Sequence, residues 1–151
     1  EVRLRYCYII KCVDLRKDTE GRVTEVHCTY DPETRSGLSG AERKVKGTIH
    51  WVSAAHAVQA EVRLYDRLFA VARPDGGDED FKTHLNPGSL AVAMDARLEP
   101  SLAGVAPGTV LQFERLGYFV ADRVDHGPGR PVFNRVVTLR DSWAKIEEAP
   151  K

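Results

Sequence analysis

The stretch "RLRYCYIIKCV" (residues 3–13), followed by "DTEG" (18–21) and "RVTEVHCTY" (22–30), carries the first clear sign of the fold. The first run opens with alternating polar and apolar residues and then becomes apolar throughout, and the last run is rich in β-branched and aromatic residues. Both patterns are typical of strands. The intervening DTEG ends in glycine, which favours a tight turn. Together the three pieces predict a β-hairpin.

The rest of the chain repeats this organisation, because Gly and Pro separate further short apolar or alternating runs and no long run has a helical period. A single short helix is predicted near Glu79–His84, with Asp78 as its cap. The pattern predicts an all-β protein, either a barrel or a sandwich. The remaining predicted strands lie in residues 43–53, 60–69, 89–100, 109–123 and 130–143.

Composition narrows the possible partners. The 151 residues include 22 basic and 22 acidic ones, which argues against a polycation that grips nucleic acid non-specifically, although local basic stretches still allow one basic face. No apolar run is long enough to predict a membrane span.

Cys7, Cys12 and Cys28 lie in apolar runs without a C-x-x-C pair, so we expect buried thiols in a reducing cytoplasm, with neither a disulfide framework nor a zinc site. The first residue is not methionine, and we expect a piece of a longer protein.

"HWVSAAHAV" (50–58) poses the question of a reactive site. His50 and His56 are six residues apart, whereas a metal site on one helix face requires a spacing of three or four. Ser53 lacks the G-x-S-x-G context of a nucleophile. We therefore expect no metal and no catalytic residue here. His50 closes a strand, and the small residues after it form a tight corner.

Two groups of residues allow either a structural or a nucleic-acid-binding interpretation. Arg3 and Arg5 are two apart, so an extended strand would point both guanidinium groups to one face, where they are either solvated or aimed at phosphates and base edges. Gln112 and Arg115, in "LQFERLGYF" (111–119), either belong to a plain amphipathic hairpin or recognise a base that has left its stack. From the residues alone, both interpretations remain open.

Several stretches together resemble one known family: "VKGTIHWVSAAHAVQAEVRLYDRLF", "FERLGYF", "FNRVVTLRDSW" and "CTYDPET". They are similar to the C-terminal anticodon-binding region of the glutaminyl-tRNA synthetases, which are class I aminoacyl-tRNA synthetases, and the resemblance runs from Arg3 to about Lys145. It implies two stacked β-barrels of the type shared by anticodon-binding domains and a ribosomal protein, the first of them incomplete. Residues 1–56 with 129–146 would belong to the first barrel and 57–128 to the second, with "HWVSAAHAV" as the corner between them.

The same resemblance implies residue roles. Gln112 and Arg115 would hold the middle anticodon base, a uracil, and Glu114 would orient Arg115 or share the contact. Arg3 and Arg5 would lie near the first anticodon base. No residue is expected to be catalytic or to bind a metal, because the HIGH-type and KMSKS-type signatures of the family's nucleotide-binding domain are absent. Lys44 and Lys46 are candidates for phosphate contacts.

The resemblance further implies that the whole protein attaches glutamine to its cognate tRNA using ATP and Mg²⁺, while this chain needs no cofactor and is inactive alone. Its partners would be the anticodon stem-loop of the glutamine-specific tRNA and the catalytic domain of the same enzyme, and it would act as a cytoplasmic monomer. Because other family contacts lie upstream of Glu1, we expect the isolated chain to bind tRNA weakly. Two alternatives remain: the equivalent barrel region of a eukaryote-like or archaeal glutamyl-tRNA synthetase, and a stand-alone β-barrel that binds RNA or a protein.

Overall fold

The computed structural model describes residues 1–139, and these form two compact units that meet in the sequence between Trp51 and Val52. The described residues contain nine strands and four short 3-10 helices, which confirms the all-β prediction. The 3-10 helices are Pro32–Thr34, Ser39–Glu42, Phe81–His84 and Pro100–Gly104.

The first unit contains a four-stranded sheet in the order β3-β2-β1-β4. Its strands are β1 (Val2–Leu4), β2 (Ile9–Lys17), β3 (Val23–Asp31) and β4 (Thr48–Ile49). The first strand runs antiparallel to β2 and parallel to β4.

The predicted hairpin of the first unit is confirmed, with β2 and β3 antiparallel and the DTEG turn between them. Asp18 forms this turn, since its Oδ1 accepts hydrogen bonds from the backbone N–H groups of Glu20 and Arg22, both at 2.9 Å. Gly21 supplies the positive φ of 80° that the turn requires. These local bonds hold the pKa of Asp18 below its ordinary value, chiefly through the Arg22 side chain.

The sequence run 3–13 is not one strand, contrary to the extended conformation expected of Arg3 and Arg5. The chain turns back after Leu4, and the N–H of Leu4 donates a hydrogen bond of 2.9 Å to the carbonyl of Tyr8.

The prediction that the three cysteine thiols are buried is also wrong: Cys12 and Cys28 are exposed and Cys7 is only half-buried. The reason is that β2 beyond Ile10 and nearly all of β3 are exposed. In this hairpin, an apolar strand pattern does not imply a buried face.

The second unit contains a five-stranded sheet in the order β6-β5-β9-β8-β7. Its strands are β5 (Val58–Tyr65), β6 (Leu90–Leu98), β7 (Val110–Phe113), β8 (Gly117–Ala121) and β9 (Val132–Thr138). Within the described residues both sheets are open ladders rather than the closed barrels that the resemblance implied. The short helix predicted near Glu79–His84 is a 3-10 turn over Phe81–His84, and Asp80 rather than Asp78 caps it by accepting a hydrogen bond from Lys82 N.

The last strand lies in the second sheet, where β9 pairs in parallel with β5 and antiparallel with β8. The assignment of 129–146 to the first barrel therefore does not hold for Val132–Thr138, and 140–146 lie outside the described residues. Burial explains the difference, because Val132 and Phe133 are fully buried and Phe133 belongs to the core of this unit. That core consists of Ala60, Val62, Leu102, Phe119, Ala121 and Phe133.

Candidate nucleic-acid interface

The hairpin between β7 and β8 presents Gln112, Glu114 and Arg115. Its loop has three residues, 114–116, and is closed by a 2.9 Å hydrogen bond from Leu116 N to Phe113 O. Phe113 fastens the loop to the core, since its ring stacks on Phe119 with centroids 4.3 Å apart. The loop geometry is therefore set by the core beneath it.

Arg115 stands in the middle of this loop with a φ of 67°, in the left-handed region. Only glycine, and to a lesser degree asparagine or aspartate, adopts that region at little cost, and for other residues the cost is about 1–2 kcal/mol. The side chain is exposed, and Glu114 beside it is half-buried. Backbone strain of this kind clusters at active sites and ligand-binding loops, which makes Arg115 a candidate binding residue.

Gln112 is exposed on the outer face of the second sheet, where Tyr118 lies directly opposite it on β8 and Val137 lies opposite Tyr118 on β9. Tyr118 keeps 42% of its surface exposed, and Val137 keeps 52%. The three residues form a row across three strands, which we call the outer row. A side-chain amide that both donates and accepts is thus placed beside an aromatic face, a combination suited to an unstacked base.

The first unit contains a loop of the same design between β1 and β2. Residues 5–7 form it, a 2.9 Å bond from Cys7 N to Leu4 O closes it, and its middle residue, Tyr6, has a φ of 57°. Among the described residues, Tyr6 and Arg115 are the two non-glycine residues with positive φ. Each of these loops thus contains a candidate binding residue, Arg5 in one and Arg115 in the other.

Arg3 has a structural role in this loop. Its Nη1 donates to the carbonyl oxygens of Cys7 and Thr34 at 3.3 and 3.0 Å, and its Nη2 donates to those of Ala41 and Arg43 at 2.7 and 3.0 Å. Four of the five N–H donors of the guanidinium are therefore directed at the backbone. Arg3 ties the loop to the two 3-10 helices, which leaves little of its hydrogen-bonding capacity for RNA.

Arg5 makes different contacts from Arg3, although the sequence pattern predicted that both side chains point to the same face of one strand. Its backbone is fixed on both sides, since its N–H donates to Ile49 O at 3.0 Å and its carbonyl accepts from Trp51 Nε1 at 3.1 Å. Its guanidinium carbon lies 4.8 Å from the centre of the Tyr6 ring, within cation–π range. The contacts therefore distinguish the two arginines: Arg3 bonds four backbone carbonyls, whereas the half-buried Arg5 contacts the Tyr6 ring.

Residues 48–122 match the family described as "tRNA synthetases class I (E and Q), anti-codon binding domain". The chain belongs to this family. The matched part of the domain contains β5 to β8 together with Gln112, Glu114 and Arg115.

Relatives of this anticodon-binding domain extend the match beyond those residues. The chain is 56% identical over 146 residues to a glutamine–tRNA ligase of Nitrosomonas europaea and 58% identical over the same length to one of Ralstonia nicotianae, covering 96% of the chain in each case. A glutamine–tRNA ligase of Bordetella avium is 57% identical over 144 residues. The chain spans about a quarter of the length of these relatives, at 26%, 25% and 24%.

The corner after β4 in the anticodon-binding domain is built by hydrogen bonds around Ser53. Ser53 O accepts from the N–H groups of His56 and Ala57 at 3.1 and 2.7 Å, and Ser53 Oγ lies 2.9 Å from His56 Nδ1. The tight corner predicted from the small residues is therefore present. Among residues 1–139, no three His, Cys, Asp or Glu side chains are grouped so that they could hold a metal ion.

One charged cluster of the domain was not predicted from the sequence. Arg63 on β5 bonds Glu61 Oε1 and Asp125 Oδ2, each at 2.6 Å, and approaches Asp122 Oδ2 at 3.4 Å, while Asn134 donates to Asp122 at 2.6 Å. Hydrogen bonds from the backbone of Asp125, from Asn134 and from the backbone of Val124 lower the pKa of Asp122 to about 2. The cluster joins β5, β9 and the chain after β8. The signal available in the sequence was Glu61 and Arg63, two apart on one strand.

Lys44 and Lys46 are exposed, and with Glu1 and Val45 they line a shallow surface hollow, so both amines are accessible to a polyanion. No helix within the described residues is both long and apolar enough to cross a bilayer.

Proposed function

We propose that this chain recognises the anticodon stem-loop of glutamine tRNA as the anticodon-binding part of a glutamine–tRNA ligase. The single observation that carries this proposal is the β7–β8 hairpin, where an exposed Gln112 lies opposite Tyr118 and Arg115 follows three residues later on a strained turn. The hairpin lies within the residues matched by the anticodon-binding family. The names of the relatives favour glutamine over glutamate as the amino acid.

The chemistry of this hairpin suits uracil as the middle anticodon base. Uracil presents two carbonyl acceptors on either side of an N–H donor. The amide of Gln112 supplies both a donor and an acceptor, and the guanidinium of Arg115 supplies donors only. Cytosine would place an amino donor against these donors, and each buried polar group left without a partner costs about 1–3 kcal/mol.

In the first unit, we propose different roles for Arg3 and Arg5. We assign the contact near the first anticodon base to Arg5, with Arg3 holding the loop that carries it. Glu114 would orient Arg115 or share its contact with the base. Lys44 and Lys46 would contact phosphates, which contributes to affinity without reading sequence.

The wider context follows from the same proposal. The whole ligase would attach glutamine to tRNA with ATP and Mg²⁺ in a catalytic domain that this chain lacks, and the chain would act as part of a cytoplasmic monomer. The relatives are about four times longer than the chain, which accommodates such a domain. Of the two alternatives, a glutamyl-tRNA synthetase fits the family but not the names of the relatives, and a stand-alone barrel fits neither.

A titration with glutamine tRNA and with a variant carrying cytosine at the middle anticodon position tests the proposal. The original chain should bind the uracil form more tightly by roughly 1–3 kcal/mol, the usual discrimination of a good base contact. Arg115→Ala should reduce this preference. Arg97→Ala, which removes an exposed arginine from β6, is the matched control and should leave the preference intact. Equal affinity of the original chain for the two RNAs would refute the proposal.

A further inference from the structure

Tyr6 is the most exposed aromatic residue that the structure describes in the first unit, with 75% of its surface accessible. It also occupies the left-handed backbone region, where its Cβ meets the following carbonyl. Hydrophobic burial does not explain a tyrosine at this position, and glycine would fit the turn at lower cost. The ring is displayed to solvent at the expense of backbone strain.

The loop that displays Tyr6 is fixed by bonds from several directions. Cys7 N bonds Leu4 O at 2.9 Å, and Cys7 O accepts from Arg3 Nη1 at 3.3 Å. Before the tyrosine, both backbone groups of Arg5 are bonded, to Ile49 and to Trp51. A ring mounted on so constrained a loop loses little conformational entropy when a ligand binds to it.

Arg5 adds a positive charge to this exposed ring. Its guanidinium lies 4.8 Å from the ring centre, and its Nη2 donates to Tyr6 Oη at 3.2 Å. Aromatic rings combined with an arginine recur where proteins bind single-stranded nucleic acid, because a base can stack on the ring while the cation attracts the phosphates. The pair leaves most of the tyrosine surface available for such stacking.

A second observation connects this loop with RNA. Tyr6 and Arg115 occupy the same position, the middle of a three-residue hairpin loop that is closed by the same type of backbone bond and has a φ near 60°. Each of the two units therefore uses one such loop to display one long side chain. Arg115 is the residue that the proposed function assigns to the middle base.

We propose that Tyr6 is a stacking residue for the first anticodon base, which leaves its own stack and lies on the exposed tyrosine ring beside Arg5. This inference rests on the proposed function and adds to it a residue that provides affinity by stacking rather than by reading a base edge. Stacking on Tyr6 does not depend on which base occupies that position, because every base has a flat aromatic face.

A double substitution of protein and RNA tests the stacking directly. The probes are two RNA hairpins with the anticodon loop of glutamine tRNA, one intact and one abasic at the first anticodon position. Binding is measured at low salt by fluorescence anisotropy. Tyr6→Gly, which removes the ring and relieves the backbone strain, should weaken binding of the intact hairpin about fivefold to 150-fold, the usual effect of losing one stacked base. The same substitution should weaken binding of the abasic hairpin no more than about twofold.

Matched variants separate stacking from other effects. Tyr6→Phe keeps the ring and should keep most of the affinity. Phe81→Ala removes another half-exposed ring, which has the Lys82 amine 5.9 Å from its centre. This change should leave the affinity for both hairpins unaltered. The melting temperature of Tyr6→Gly should match or exceed that of the original chain, since left-handed backbone favours glycine.

The outcomes distinguish this inference from the proposed function. If Tyr6→Gly weakens both hairpins equally, or neither, stacking of that base on Tyr6 is refuted, whereas an effect of Arg115→Ala in the same assay leaves the proposed function standing. If the original chain binds the intact hairpin no better than an unrelated hairpin of equal length, the proposed function and the inference fall together.

Discussion

Gln112 and Tyr118 lie directly opposite each other on β7 and β8, on the face of the sheet turned away from the core. Their neighbours in sequence, Leu111 and Phe119, are also paired and point the other way, into the core. Alternation along two antiparallel strands therefore brings an amide and an aromatic ring together outside while the apolar residues pack inside. Packing of Leu111 and Phe119 in the core fixes the register of β7 against β8, and this register places Gln112 opposite Tyr118 in the outer row.

Gln112→Glu tests the amide in this row. The change keeps the shape of the side chain but replaces its N–H donors by a carboxylate, which would repel a uracil carbonyl. We expect affinity for glutamine tRNA to fall by roughly 1–3 kcal/mol. The melting temperature should stay the same because Gln112 is exposed. Unchanged affinity in a direct titration would remove Gln112 from the interface.

Arg115→Gly should separate stability from binding. Glycine relieves the left-handed strain at this position but is more flexible in the unfolded chain, so the free energy of unfolding should stay within about 1 kcal/mol of its original value. Affinity for glutamine tRNA should nevertheless fall as it does for Arg115→Ala. Denaturant unfolding and RNA titration of both variants provide the measurements, and full affinity of the glycine variant would mean that the backbone shape of the loop, and not the guanidinium, is recognised.

Arg3→Lys should mainly affect stability. A lysine cannot reproduce the fork that bonds four backbone carbonyls, so the first unit should lose roughly 2–3 kcal/mol of unfolding free energy. Arg16→Lys, a change at an exposed arginine of β2 in the same unit, is the matched control and should cost less stability. Urea denaturation of the two variants checks the difference, and equal stability of both would contradict the structural role of Arg3.

The acid sensitivity of the second unit should depend on Asp122. The folded state holds the pKa of Asp122 at about 2, below its ordinary value of 3.8, so the folded protein favours the ionised form. Its contribution to stability is therefore complete above about pH 5 and is lost as the pH falls through about 2. After allowance for solvent screening, the contribution is roughly 1–2 kcal/mol.

Denaturant unfolding between pH 5 and pH 2 measures this dependence. Asp122→Asn should lower stability at pH 5 and flatten the loss on acidification by about the same amount. Asp78→Asn, a change at an exposed loop carboxylate, should leave the pH profile unaltered. A profile that is identical for the original chain and for Asp122→Asn would rule out this linkage.

The cysteines offer a check on the first sheet. Cys12 and Cys28 are exposed and stand opposite each other on β2 and β3, while Cys7 is half-buried in the loop. We expect two thiols of the folded protein to react with a maleimide at a rate close to that in denaturant, and Cys7 to react more slowly. Mass spectrometry of the labelled peptides identifies the sites. Protection of Cys12 and Cys28 in the folded chain would show that something covers this hairpin in solution.

Local chemistry made part of this structure predictable. Asp18 and Gly21 shape the DTEG turn through bonds within five residues, and Ser53 shapes the corner before β5 in the same way. The β7–β8 hairpin was visible because alternation and a Gly after the loop are signals carried by neighbouring residues. The exposed position of Gln112 follows from the same alternation.

Contacts between distant residues decided the rest. The positive φ of Tyr6 is maintained by bonds that involve Arg3, Ile49 and Trp51, and the different roles of Arg3 and Arg5 depend on carbonyls more than thirty residues away. The parallel pairing of β9 with β5 joins residues about seventy positions apart.

By itself, then, the sequence determined the all-β class, the turns and the residues able to meet a nucleotide, because strand periodicity and turn formation depend on neighbouring side chains. Only the tertiary structure decided which arginine bonds the backbone of a loop and which contacts an aromatic ring, which sheet contains β9, and that Tyr6 is exposed to solvent. Those outcomes depend on backbone hydrogen bonds and burial shared by segments far apart in the chain, and no short stretch of sequence contains both partners.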